Sequence, residues 1–204
     1  MYDSILGSGS VAVSQALTAL TICASSMLWA LAYHRLGAGH ILRLAAVPIA
    51  LWVLAGSADI LVTAKGTFED ATREGNPLAR NVLIWVGPLF GPAIASAAWI
   101  SLWACVALLL DHGLRPFERS RQMAILTLYY SLFLGHLFAF SGWMSWGGRL
   151  HELGFHTMSQ MPVAGIMIFN VFYIGWVVIA CALSSLHLGL IAILAGGTDR
   201  DTER

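Results

Sequence analysis

Apolar residues fill this chain in long, nearly unbroken runs, and polar residues gather in the short stretches between them. Five runs stand out, covering about 11–33, 44–63, 82–110, 122–146 and 162–195. A hydrocarbon core of ~30 Å takes about 20 helical residues at ~1.5 Å each, and every run meets that length. Backbone groups in lipid must be paired internally, so such runs are helices or belong to a closed barrel. Barrel strands alternate apolar and polar positions, and these runs do not. The pattern therefore predicts an all-α integral membrane protein. It is a single transmembrane domain over residues 1–204, a bundle of about five transmembrane helices, with 196–204 as a short cytoplasmic tail.

Two runs exceed a simple span. The third carries Pro88 and Pro92 within Gly87-Pro88-Leu89-Phe90-Gly91-Pro92. Proline interrupts a helix interior but is accepted in its first turn. The spanning part is expected either to begin near Pro92, with residues 78–90 at the interface or re-entering, or to continue through a kink. Gly87 and Gly91 form a small-xxx-small pair suited to close helix approach. The fifth run, at about 34 residues, must tilt, protrude or break, with Gly175 or Ser184-Ser185 as places for a break.

Composition sharpens this picture. Of 204 residues 58% are hydrophobic and only 11% charged, against roughly 25% charged in soluble domains. That leaves too few charges for a hydrated shell. Formal net charge is zero, so there is no basic field for nucleic acid. The first ten residues lack a basic segment, and the first run is read as a retained span, not a cleaved signal. Cys23, Cys105 and Cys181 lie far apart in apolar runs and are expected to be small buried side chains.

Charge sorts the connections. With five spans, one side holds Arg35, Arg43, Arg115, Arg119, Arg121, Arg200 and Arg204, and the other Lys65, Arg73, Arg80 and Arg149. The positive-inside rule places the first group in the cytoplasm. The N-terminus is then outside and the C-terminus inside, in the cell (inner/plasma) membrane.

Candidate chemistry lies near the exoplasmic end. Asp59 sits inside an apolar run about one turn from its end, where a carboxylate must be paired, protonated or beside a wet cavity. Thr63 follows one turn later. Lys65, Arg73 and Arg80 are candidate cationic partners that would make Asp59 an interfacial salt bridge. Glu74-Gly75-Asn76-Pro77 reads as a turn before the third run, with Glu74 able to satisfy donors at a helix start. His136 lies near the middle of the fourth run and Asn170 in the outer half of the fifth. A polar group in lipid faces other helices, so Asp59, Thr63, Glu74, Asn76, His136 and Asn170 form one candidate polar cluster.

The loop His151-Glu152-Leu-Gly-Phe-His156 offers metal-ligand types. Its histidines are five apart, not the four that would stack them on one helix face, so an exposed interfacial reading competes with a divalent-metal site drawing on His136, His151, Glu152 and His156. A bis-histidine haem would use His136 and His187, but their depths differ, which disfavours it. Of the eight tryptophans, Trp85, Trp143 and Trp146 near the outer ends suit an aromatic belt.

Asp59-Ile-Leu-Val-Thr63, Gly66 and Glu74-Gly-Asn76-Pro77-Leu78 together resemble a signature in a family of small multi-pass membrane proteins of bacteria and archaea. The signature is an Asp, a Thr four later, then Gly and Glu-x-Asn-Pro. It covers only these positions of the 204 and carries no activity. What it implies is that Asp59, Glu74 and Asn76 act as a unit.

These observations favour a non-enzymatic accessory or scaffolding subunit, or a small-ligand binder, packed in the lipid bilayer against other membrane protein subunits or a second copy of itself. A membrane-embedded metal-dependent hydrolase using the exoplasmic His, Asp and Glu is the first alternative. A small ion or solute transporter, with Asp59 and His136 titrating, is the second; no inverted repeat supports it.

Overall fold

The computed structural model describes residues 9–68, 70–71, 74, 77–144 and 162–198, with side chains from 79 to 140 and from 174 to 194 in the last four helices. Six helices are described: α1 Gly9–Arg35, α2 Gly39–Gly66, α3 Pro77–Val86, α4 Gly91–Gly113, α5 Glu118–Met144 and α6 Pro162–Thr198. Five of them, all but α3, are long and apolar enough to cross a membrane. Their wide apolar surfaces, including Leu20, Met27, Leu54, Leu109 and Ile193, are exposed. Lipid is the solvent that makes such a surface favourable, since it asks for no polar shell.

Local chemistry sets the boundaries. α1 closes at Gly37, whose φ of 72° suits a residue without Cβ. Ala38 N–H donates to the Tyr33 carbonyl at 2.8 Å and Gly37 N–H to His34 at 3.2 Å, the paired bonds of a Schellman end. α5 opens with Glu118 in its first turn, where a carboxylate meets the positive helix end. α2 is bent at its start: Ala45 has non-helical φ/ψ of −107° and 20°, and Pro48 lies inside the helix. Proline removes one backbone donor and crowds the carbonyl four residues earlier, which accounts for the bend.

The third apolar run divides. Gly87, with φ of 88°, turns the chain between α3 and α4, and Pro92 stands in the first turn of α4. The spanning part thus begins at Gly91, one of the two arrangements the prolines permit. The two glycines do different work. Gly87 has open space where a Cβ would be, whereas a Cβ on Gly91 would lie 2.9 Å from Leu83 Cδ2 and 3.1 Å from its Cα. The close approach is therefore between α3 and α4 of the same chain, at Gly91 alone. Ser14 of α1 donates to the Pro88 carbonyl at 2.9 Å and fixes the turn against the bundle. The fifth run does not break: α6 is continuous over 37 residues.

α2 and α5 make the most extensive helix pairing, α1 packs on both α2 and α4, and α6 rests mainly on α5. The shared core includes Ile22, Tyr33, Ile41, Trp52, Ile100, Ile125, Leu126 and Tyr129. The cysteines depart from expectation. All three are free; Cys23 and Cys105 are exposed and Cys181 is partly covered. Cys181 faces α5, where the Thr127 hydroxyl donates to its Sγ at 3.8 Å, and a small, weakly polar thiol is tolerated at the exposed positions of the other two.

Candidate functional site

Helices α2, α4 and α5 each bring one side chain to a common point. His136 Nδ1 lies 2.9 Å from Asp59 Oδ2, and Trp99 Nε1 donates to His136 Nε2 at 3.2 Å. An indole N–H only donates, so His136 Nε2 must hold a lone pair. The ring is then neutral with its proton on Nδ1, and Nδ1–H donates to Asp59. Both ring nitrogens are occupied inside the protein.

The helices deliver these groups at matching depth. Asp59 precedes the end of α2 at Gly66 by about two turns, since α2 continues beyond residue 63. The carboxylate is deeper than the sequence run suggests, and only 8% of the residue is exposed. Its described side-chain partner is His136; of the cations expected of an interfacial salt bridge, Arg73 lies outside the described residues. The imidazole packs over Gly56, one turn earlier on α2, where an added Cβ would sit at ordinary contact distance, 3.6–3.7 Å from the ring atoms. Asp59 Oδ1 is buried without a hydrogen-bond partner among the described residues. A narrow crevice beside the pair is lined by Trp52, Gly56, Ser57, Ile60, Trp99 and His136.

Of the candidate cluster, Asp59 and His136 are thus in contact. Thr63 stands one turn past Asp59, and its carbonyl accepts the Thr67 hydroxyl at 2.8 Å. Glu74 N–H donates to the Ala71 carbonyl at 3.2 Å; the turn expected at Glu74-Gly75-Asn76-Pro77 runs through residues outside the described set. Asn170 lies on α6, with its side chain outside the described set. Asn76, His151, Glu152 and His156 lie outside the described residues. Among the described residues, no three His, Cys, Asp or Glu side chains gather as a metal would require. His187 Nδ1 meets the Tyr130 hydroxyl at 2.9 Å. That is six residues before His136, or about 9 Å along a helix.

A second polar cluster, which the sequence reading did not single out, lies at the opposite end. Asp111, 2% exposed on the last turn of α4, faces His40 Nε2 at 2.5 Å and Arg121 Nε at 3.8 Å. Arg121 also pairs with Glu118, which accepts from Gln122 at 2.7 Å. Nearby, the Tyr33 and Tyr129 hydroxyls are 2.8 Å apart, and Tyr33 donates to the Ala104 carbonyl at 3.1 Å. One signal was available: a carboxylate in the last turn of a helix opposes the dipole and needs a cation.

No family model matches the chain, and neither a curated protein nor a solved structure matches it.

Proposed function

We propose that this chain is a non-enzymatic multi-pass protein of the cell (inner/plasma) membrane, an accessory or scaffolding subunit whose intramembrane polar residues clasp its own helices. The observation that carries the reading is the double engagement of His136. A general base or a metal ligand offers a lone pair to something else. Here one nitrogen accepts from Trp99 and the other donates to Asp59, so the imidazole joins α2, α4 and α5 and has nothing left over.

The excess of arginine in the α1–α2 and α4–α5 connections supports an orientation with the N-terminus outside and the C-terminus inside. The partners implied are other membrane subunits or a second copy of the chain. The long apolar face of α6 with Val178, Leu186, Leu190 and Leu194 is one that lipid or a partner helix can cover. Cross-linking in native membranes tests the proposal. Recovery in an assembly larger than the 22.0 kDa chain supports it; purification as a lone monomer carrying stoichiometric metal defeats it.

One observation favours a second reading, a small ion or solute carrier: Asp59 Oδ1 is buried and unpartnered among the described residues. In lipid such a group can mark an ion or substrate pathway. This reading requires Asp59→Asn to abolish coupled uptake into vesicles, and unchanged uptake dismisses it. The metal-dependent hydrolase would draw its ligands chiefly from His151, Glu152 and His156.

A further inference from the structure

The arginine-rich end of the bundle carries chemistry that the polar clasp does not use. Two connections meet there. The α1–α2 turn and the α4–α5 turn are held side by side, because His40 just after the first is 2.5 Å from Asp111 just before the second. Arginines from both turns therefore share one rim. Arg35, Arg43, Arg115 and Arg119 are all exposed.

The acids at this rim do not neutralise them. Among the described residues they are Asp111 and Glu118. Asp111 is buried against His40, and Glu118 is taken by Arg121 and Gln122. Arg121 is the one arginine turned inward; its side chain is 17% exposed. What remains facing outward is four guanidinium groups.

The same turns expose two large apolar side chains, Leu36 at 61% and Phe117 at 63%. Each adjoins the basic residues in sequence: Leu36 follows Arg35, and Phe117 lies between Arg115 and Arg119. An exposed apolar group beside an arginine suits the boundary between hydrocarbon and headgroups, where the apolar part enters the acyl layer. Guanidinium presents paired N–H donors that match a phosphate's oxygens.

We infer that this rim is a binding surface for anionic phospholipid headgroups, with Arg35, Arg43, Arg115 and Arg119 on the phosphates and Leu36 and Phe117 in the acyl layer. The surface draws on charge complementarity and on the depth marked by the two apolar residues. It is independent of whether the protein is a scaffold or a carrier.

The test is lipid retention by the full chain in nanodiscs of phosphatidylcholine containing phosphatidylglycerol, read by mass spectrometry of the co-purified lipid. The parent chain is expected to enrich phosphatidylglycerol over the bulk mixture. Each arginine near an anionic surface contributes about five-fold. Arg115→Gln/Arg119→Gln should therefore lose most of the enrichment, and the fourfold variant that adds Arg35→Gln and Arg43→Gln should lose all of it. Arg80→Gln, in the other group of connections, should leave it unchanged. Equal enrichment in the parent and the double variant overturns the inference, as does an equal loss with Arg80→Gln. So does retention of an acidic protein segment in place of the lipid. Thermal unfolding in pure phosphatidylcholine discs identifies a variant that fails to fold. In that case added salt on the parent chain decides: enrichment that resists salt overturns the inference.

Discussion

Removing the His136 imidazole tests the clasp with the largest expected effect. His136→Ala strips the 2.9 Å partner from Asp59 Oδ2 and the 3.2 Å acceptor from Trp99. Asp59 Oδ1 already lacks a partner among the described residues, so the variant leaves the whole carboxylate unsatisfied. Removing the donor from a buried carboxylate costs about 1.5–3 kcal/mol, because the acceptor is left unsatisfied. An interhelical hydrogen bond in a membrane protein contributes only about 0.6 kcal/mol on average, up to about 1.7. Trp99→Phe deletes the N–H together with the five-membered part of the indole, so the hydrogen bond's share, about 1 kcal/mol or less, adds to the packing that the smaller ring loses. The stranded carboxylate, not the lost bond, dominates His136→Ala. It follows that Asp59→Leu/His136→Leu, which removes both polar groups, should be less destabilised than His136→Leu alone. Reversible unfolding in mixed micelles, titrated with a denaturing detergent, measures all of these. The reasoning fails if His136→Ala loses less than about 1 kcal/mol, or if the double variant is no more stable than the single one.

Four further outcomes can be measured. Gly91→Ala should destabilise by about 1–3 kcal/mol, because the new Cβ meets Leu83 backbone as well as side chain, which overpacks the α3–α4 contact. Gly56→Ala should be neutral or stabilising in the same unfolding assay. Its Cβ finds ordinary contact distances to His136, and alanine is the better helix former by about 1 kcal/mol. Asp111→Ala should raise hydrogen exchange in residues 35–40 and 114–118, since His40 and Arg121 both lose the carboxylate that holds the two turns together; unchanged protection there would count against the second cluster. Elemental analysis of the purified chain should find no stoichiometric metal; one bound ion per chain, lost in a His151→Ala/His156→Ala variant, would revive the hydrolase.

The architecture was legible because its physical cause is crude. Twenty apolar residues without alternation leave the backbone no option in lipid but a helix, and the five spanning helices follow. Asp59 and His136 were legible for a related reason: an ionisable group in an apolar run must find company. What could not be read was which company. The nearby cations Lys65, Arg73 and Arg80 were as plausible for Asp59 as His136. Only the register of α2 against α5, which brings His136 Nδ1 within 2.9 Å of Asp59 Oδ2, decides between them. Trp99 was hidden because tryptophan in an apolar run looks like core or belt, and its N–H reveals its use only when the acceptor is located. Asp111 was missed for lying at the edge of a run among other charges. There sequence distance from His40 conceals the contact that the folded turns create.

The central claim is that His136 is a neutral, doubly engaged joint between α2, α4 and α5. Solid-state NMR of the chain in bilayers, with labelled histidine and aspartate, tests it most directly. The account predicts a His136 ring protonated at Nδ1 alone, with Nδ1 in dipolar contact with the Asp59 carboxyl carbon. A ring protonated at Nε2, or one with no contact to Asp59, would contradict it.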